Sequence, residues 1–98
     1  MVTLKCQHVL VARELDAKSE KLRERLRQAA GHYQNALVGA NATQQQRAEI
    51  IWQGAKSRLA DDAERLNRAI TAYNLKIPPG IPHKPHFLLQ REIQRALE

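Results

Sequence analysis

The chain holds a single cysteine, Cys6, so no disulfide can close within it. A fold held by packing alone gains nothing from an oxidising compartment, and a reducing intracellular setting is the expectation. Long hydrophobic runs are equally scarce. The longest, Val9 to Ala12, falls far short of the roughly 20 residues that span a bilayer and is too short for a secretory core segment. Neither a glycine-rich phosphate loop nor a local nucleophile-and-base signature occurs, which speaks against catalysis, a cofactor or a small-molecule substrate. Acids are missing from two stretches, residues 1–13 and 65–91.

What is present is basic and periodic. The 98 residues suit one domain near the lower size limit for burying a self-sufficient core, and 16 Lys and Arg against 10 Asp and Glu leave a net charge of +6. That balance favours an anionic partner: nucleic acid, a lipid surface or an acidic protein. The acid-free start, with Lys5 and Arg13, has the bias of an organelle transit peptide, although its apolar positions also continue the helix that follows.

Period and punctuation predict an all-α chain, a long antiparallel helical hairpin followed by a Pro-rich strap and a short amphipathic helix. In the first helix, about residues 4–38, Leu4, Val11, Leu15, Leu22, Leu26, Ala29, Tyr33 and Leu37 recur at steps of three, four or seven, which sets them on one stripe. Gly39 suits its C-terminal cap, and Gly31 inside the pattern marks a weak point or a close approach. The second helix, about residues 43–74, should open on a capping box formed by Thr43 and Gln46. Its seam is Trp52, Leu59, Leu66 and Tyr73, spaced by sevens, with Ala48, Ala55, Ala63 and Ile70 beside it. Asn74 is expected as its left-handed cap, with Leu75 folding back on Ile70. Four prolines and Gly80 make the strap, residues 77–86, and Leu89, Ile93 and Leu97 repeat every four residues in a last helix at about 88–97. Two helices conceal only one side of each apolar stripe, so the last helix or a partner must cover the rest.

Candidate sites divide into weak chemistry and stronger surfaces. Cys6 and His8, and separately His83 and His86, carry metal-ligating groups without the further ligands that a closed site needs. Asp61, Asp62 and Glu64 have the look of paired acids, but Arg58, Arg65 and Arg68 at helical spacing make surface ion pairs the simpler reading. Tyr33, Trp52 and Tyr73 lie on the seams, which favours core packing over stacking on bases. Basic residues gather at Lys18, Lys21, Arg23, Arg25 and Arg27 and again at Arg65, Arg68, Lys76, Lys84 and Arg91. If the hairpin joins these groups, Lys21, Arg23, Arg25, Arg27, Arg65, Arg68, Lys76 and Lys84 would present one positive surface to phosphates or an acidic protein. For an apolar partner the candidate contacts are Leu59, Leu66, Leu89 and Ile93.

From Trp52 onward, Leu66-Asn67-Arg68-Ala69-Ile70, Tyr73-Asn74-Leu75-Lys76-Ile77-Pro78, His86-Phe87 and Arg91-Glu92-Ile93 occur in order. This resembles the C-terminal region of the DnaJ-homologue subfamily C member twenty-eight family, where a helix ends in a similar Tyr/Phe-Asn-Leu-x-Val/Ile-Pro phrase. The resemblance covers chiefly residues 52–95. The His-Pro-Asp triplet of a J domain is absent, so stimulation of a chaperone ATPase is not implied. What it does imply is an assembly or trafficking role, with mitochondrial or Golgi-associated placement. The combined expectation is a noncatalytic interaction module, an accessory or assembly component that binds a protein or its own kind, with mitochondrial placement set ahead of cytoplasmic. The alternative is a basic RNA-binding component of a ribonucleoprotein such as a ribosome.

Overall fold

A computed structural model describes residues 4–98, with side chains described from Gln7 onward. The chain is all-α over these residues: α1 (Leu4–Leu37), α2 (Ala42–Lys76) and α3 (Leu89–Leu97). At 1.5 Å per residue the 34 residues of α1 and 35 of α2 are each about 50 Å long. Laid antiparallel, they account for a rod of 60 × 22 × 17 Å.

The sequence dictates the reversal between them. Gly39 takes φ 67°, the left-handed conformation that a Cβ disfavours, and ends α1. Asn41 then caps α2, accepting from the Gln44 amide at 2.8 Å while Gln44 Oε1 accepts from the Asn41 amide at 3.0 Å. The capping box thus lies two residues ahead of the expected Thr43 and Gln46 pair. Asparagine caps as well as threonine does, and the tight turn at Gly39 brings Asn41 to the helix start first.

At the other end α2 runs to Lys76, two residues past the expected stop, and Asn74 is not a left-handed cap: among the described residues only glycines have positive φ. Leu75, 81 % exposed, does not fold back on Ile70. Pro78 is what ends the helix, forcing Ile77 into extended backbone (ψ 147°), while the Ile77 amide still reaches Tyr73 O at 3.1 Å. Pro79 and Gly80 (φ 93°), with the Ile81 amide donating to Pro78 O at 3.3 Å, fit a type II turn that sends the strap back along the hairpin.

The Asn74 side chain is occupied elsewhere. Its Nδ2 donates to Lys84 O (3.0 Å) and its Oδ1 accepts from the Lys84 amide (2.7 Å). Asn67 repeats the arrangement with Phe87, at 3.0 and 2.6 Å. Seven helical residues rise about 10.5 Å, and three residues of polyproline-like chain advance about 9.3 Å, so the two asparagines match the two strap residues in pitch. Each amide imitates the paired donor and acceptor of a neighbouring strand, which satisfies a strap that has no ladder of its own. Between them Thr71 Oγ1 and His86 Nε2 lie 2.8 Å apart, and Lys84 Nζ reaches both Asp16 carboxylate oxygens at 2.7 Å.

The clamped strap delivers Phe87 and then α3 onto the hairpin. One core results: Leu15, Leu22, Leu26 and Ala30 of α1, the Trp52, Leu59, Leu66 and Tyr73 seam with Ala63 and Ile70 of α2, and Phe87 and Ile93 above them. α3 lies along α1, with Glu92 Oε2 3.5 Å from Arg23 Nε and the Leu97 carbonyl accepting from Gln34 at 3.0 Å. The part of the stripe that two helices leave bare on this front face is therefore covered by the chain's own strap and α3. Gly31 proves not to mark a close approach, since a Cβ there would meet nothing within 4 Å.

A candidate docking groove on the uncovered face

Three of the four expected apolar partner contacts are interior. Leu59, Leu66 and Ile93 are 4–8 % exposed, and Leu89 packs partly buried against the same core. The sequence expectation for these residues is corrected for a physical reason: the seam they mark is the one the hairpin and α3 bury first, so they hold the fold and are not displayed.

The basic residues are on the surface, but acids are set among them. Arg25 meets Asp62 at 2.7 Å, and Arg65 reaches the same carboxylate at 3.7 Å. Glu20 receives Arg27 at 3.0 Å and Arg23 at 3.4 Å, Arg68 is 2.6 Å from Glu64, and Lys84 is bound to Asp16. The Arg27 hydrogen bond, with Arg23 behind it, holds the Glu20 carboxyl below its ordinary value. Of the eight residues expected to form one cationic surface, only Lys21 and Lys76 have no carboxylate partner among the described residues. The positive surface is thus interrupted by carboxylates, two of which, Asp62 and Glu20, each serve two arginines, while Asp62 and Glu64 take the ion-pair role expected of them.

His83 is exposed, His86 faces Thr71, and the His8 ring meets Tyr73 edge-on at 6.5 Å. The Cys6 side chain lies outside the described residues. Among those described, no group of three or more His, Cys, Asp or Glu stands close enough to hold a metal ion.

Sequence reasoning missed the opposite, or back, face. Near the hairpin turn a groove of about 420 Å³ runs between the helices, walled by Ala29, His32, Tyr33 and Ala36 of α1 and by Ala48, Ile51, Trp52 and Ala55 of α2. Its floor is made firm by Tyr33 stacked on Trp52, ring centres 5.4 Å apart and planes 21° from parallel. Lys56 Nζ sits 5.3 Å above the Trp52 ring, and the Tyr33 hydroxyl donates to Glu49 Oε2 at 2.6 Å. That bond, joined by one from Gln53, lowers the Glu49 pKa, and the Glu49 acceptor in turn raises that of Tyr33. Ile51, 69 % exposed, stands on the rim with Ile50, 72 % exposed, beside it. The available signal was Ile50-Ile51-Trp52, three apolar residues in succession where a single stripe needs only one of them.

The fold and its surface define a class, an all-α hairpin closed on one face by its own C-terminal strap and helix. Compared with family models, curated proteins and solved structures, the chain matches none of them. None of the described helices is long and apolar enough to cross a membrane.

Proposed function

We propose that this chain is a noncatalytic interaction module, an accessory or assembly component that binds a protein partner through the open groove of its back face. The observation that carries this reading is the contrast of coverage. The strap and α3 hide the front of the hairpin, while on the back Ile51, His32 and Ala36 are exposed along a channel whose inner wall is the buried Ala48 and Trp52. Exposed apolar side chains contribute nothing to the free fold, and a contiguous concave set of them is where partners dock. Placement in a reducing compartment, the mitochondrion ahead of the cytoplasm, and likeness to the tail of a J-domain-protein family accord with an assembly role.

The second reading is RNA binding, favoured by the net charge of +6 and by Lys21 and Lys76. A phosphate backbone would have to compete with the carboxylates already holding Arg25, Arg27, Arg68 and Lys84. Affinity capture at moderate salt, with and without nuclease, separates the two. Protein partners that survive nuclease and are lost with Ile51→Asp support the first reading. Loss of every partner on nuclease treatment, with binding that falls steeply as salt rises and is abolished by replacing Arg23, Arg25 and Arg27 with Glu, supports the second.

A further inference from the structure

Resting on the protein-docking reading above, we infer that the occupant of the back groove is a short amphipathic helix of another protein carrying carboxylates beside its apolar stripe. Three features of the groove carry this. Its walls span eight residues on each helix, Ala29 to Ala36 and Ala48 to Ala55, a rise of about 10.5 Å or two helical turns. Four alanines among its lining residues leave it shallow, so a helix backbone can approach closely.

Charge supplies the second feature. Arg47, Ile51, Gly54 and Arg58 follow at steps of four, three and four, the spacing of one helical face, so arginines stand one turn before and two turns after Ile51. Both arginines are exposed and neither is ion-paired among the described residues, unlike Arg25, Arg27 and Arg68. His32 is on the opposite wall; of the acids on α2 near these arginines, Glu49 is held by Tyr33 and Gln53 and Asp62 by Arg25, while Asp61, one turn from Arg58, is exposed. A second copy would bring the same arginines against these, and like charges facing each other count against it.

The third feature is the chain's own example. On the front, α3 is a nine-residue amphipathic helix that lays Ile93 against the hairpin and sets Glu92 on Arg23 of α1. The back groove offers the same apolar floor and the same kind of cation without the helix. Gly54 fits this reading. Mid-helix glycine costs about 1 kcal/mol relative to alanine, and a Cβ there would meet nothing inside the chain, so packing within the protein does not require it.

The test is selection from a displayed library of single-helix peptides against the full chain, with Ile51→Asp as counter-target and circular dichroism to show that the variant folds. Peptides are then titrated against Trp52 emission, the sole tryptophan signal. The expected outcome is enrichment of Asp and Glu beside apolar residues at i, i+3 or i+4, and i+7. Such peptides should bind about tenfold more weakly to an Arg47→Glu, Arg58→Glu double variant and regain affinity when their acids are exchanged for lysine. Enrichment of basic or uncharged helices that still depend on Ile51 would overturn the acidic occupant and leave the docking reading standing. Self-association of the chain lost in Ile51→Asp, or quenching of Trp52 by a uridine oligonucleotide, would likewise give the groove to a different occupant. Absence of any Ile51-dependent peptide would overturn both readings.

Discussion

The front and back of the hairpin are made from the same two helices and the same kinds of residue, yet one face is closed and the other open. On the front, Phe87 and Ile93 descend from the strap and α3 onto the seam, and Arg23 lies over the Phe87 ring at 5.6 Å. On the back the groove is lined largely by alanines, with Trp52 buried at its floor and Ile51 exposed at its rim, and no helix or strap segment among the described residues lines it besides α1 and α2. The difference teaches that an amphipathic stripe says how wide a buried surface must be, without saying which molecule covers each edge. The largest expected effect tests this directly. Phe87→Ala should cost about 3–5 kcal/mol of unfolding free energy, whereas Ile51→Ala should stay within about 0.5 kcal/mol, both read from denaturant midpoints. Equal costs would mean that the back face is already occupied in the free protein.

Much of this was legible beforehand because helical period and proline are strong signals. The seam Trp52, Leu59, Leu66 and Tyr73 is interior throughout, and the two long helices begin and end within two residues of expectation, α1 from its first described residue. What misled was the assumption that a seam residue is also a partner residue, and that an asparagine near a helix end must cap it. Asn74 is spent on a segment ten residues away, a long-range pairing that no local pattern encodes. The groove escaped notice because alanine weighs little in a hydrophobic pattern, although rows of alanine are what allow two helices, or a third, to come close.

Next in size comes the clamp that makes the front face possible. Asn67→Ala should cost about 1–3 kcal/mol, because the partly buried Phe87 amide and carbonyl both lose their partner. Asn74→Ala acts on the same strap, so the double variant should cost less than the sum of the singles, which a double-mutant cycle by equilibrium unfolding would measure. Additive losses would show that the strap is held at two independent points and that α3 docks without its help.

Glycines sharpen the comparison at smaller scale. Gly31→Ala and Gly54→Ala should each raise stability by about 0.5–1 kcal/mol, since both are helical and neither Cβ would meet an atom within 4 Å. Only Gly54 lies on the row that carries Ile51. Gly54→Ala should therefore weaken partner binding while Gly31→Ala leaves it unchanged, and a calorimetric comparison of the two variants checks the pair of outcomes together.

The smallest effect is electrostatic and separates a carboxylate held by a neutral hydroxyl from one held by arginines. Tyr33 and Gln53 lower the Glu49 pKa below the ordinary 4.5, and Arg27 and Arg23 do the same for Glu20. A depressed carboxylate contributes stability that is complete above the unfolded-state pKa and is lost as pH falls through the folded one. Glu49→Gln and Glu20→Gln should each therefore reduce stability at neutral pH, and the gap from wild type should close below about pH 4.5. Salt distinguishes them. At about 1 M salt the screening length is ~3 Å, so the exposed Glu20 pairs with Arg27 and Arg23 should lose their effect. The bond from the neutral Tyr33 hydroxyl to Glu49 has no opposite charge to screen and should keep most of its share. A Glu49 contribution that disappears with salt would mean that Lys56, and not Tyr33, is the partner that matters to Glu49.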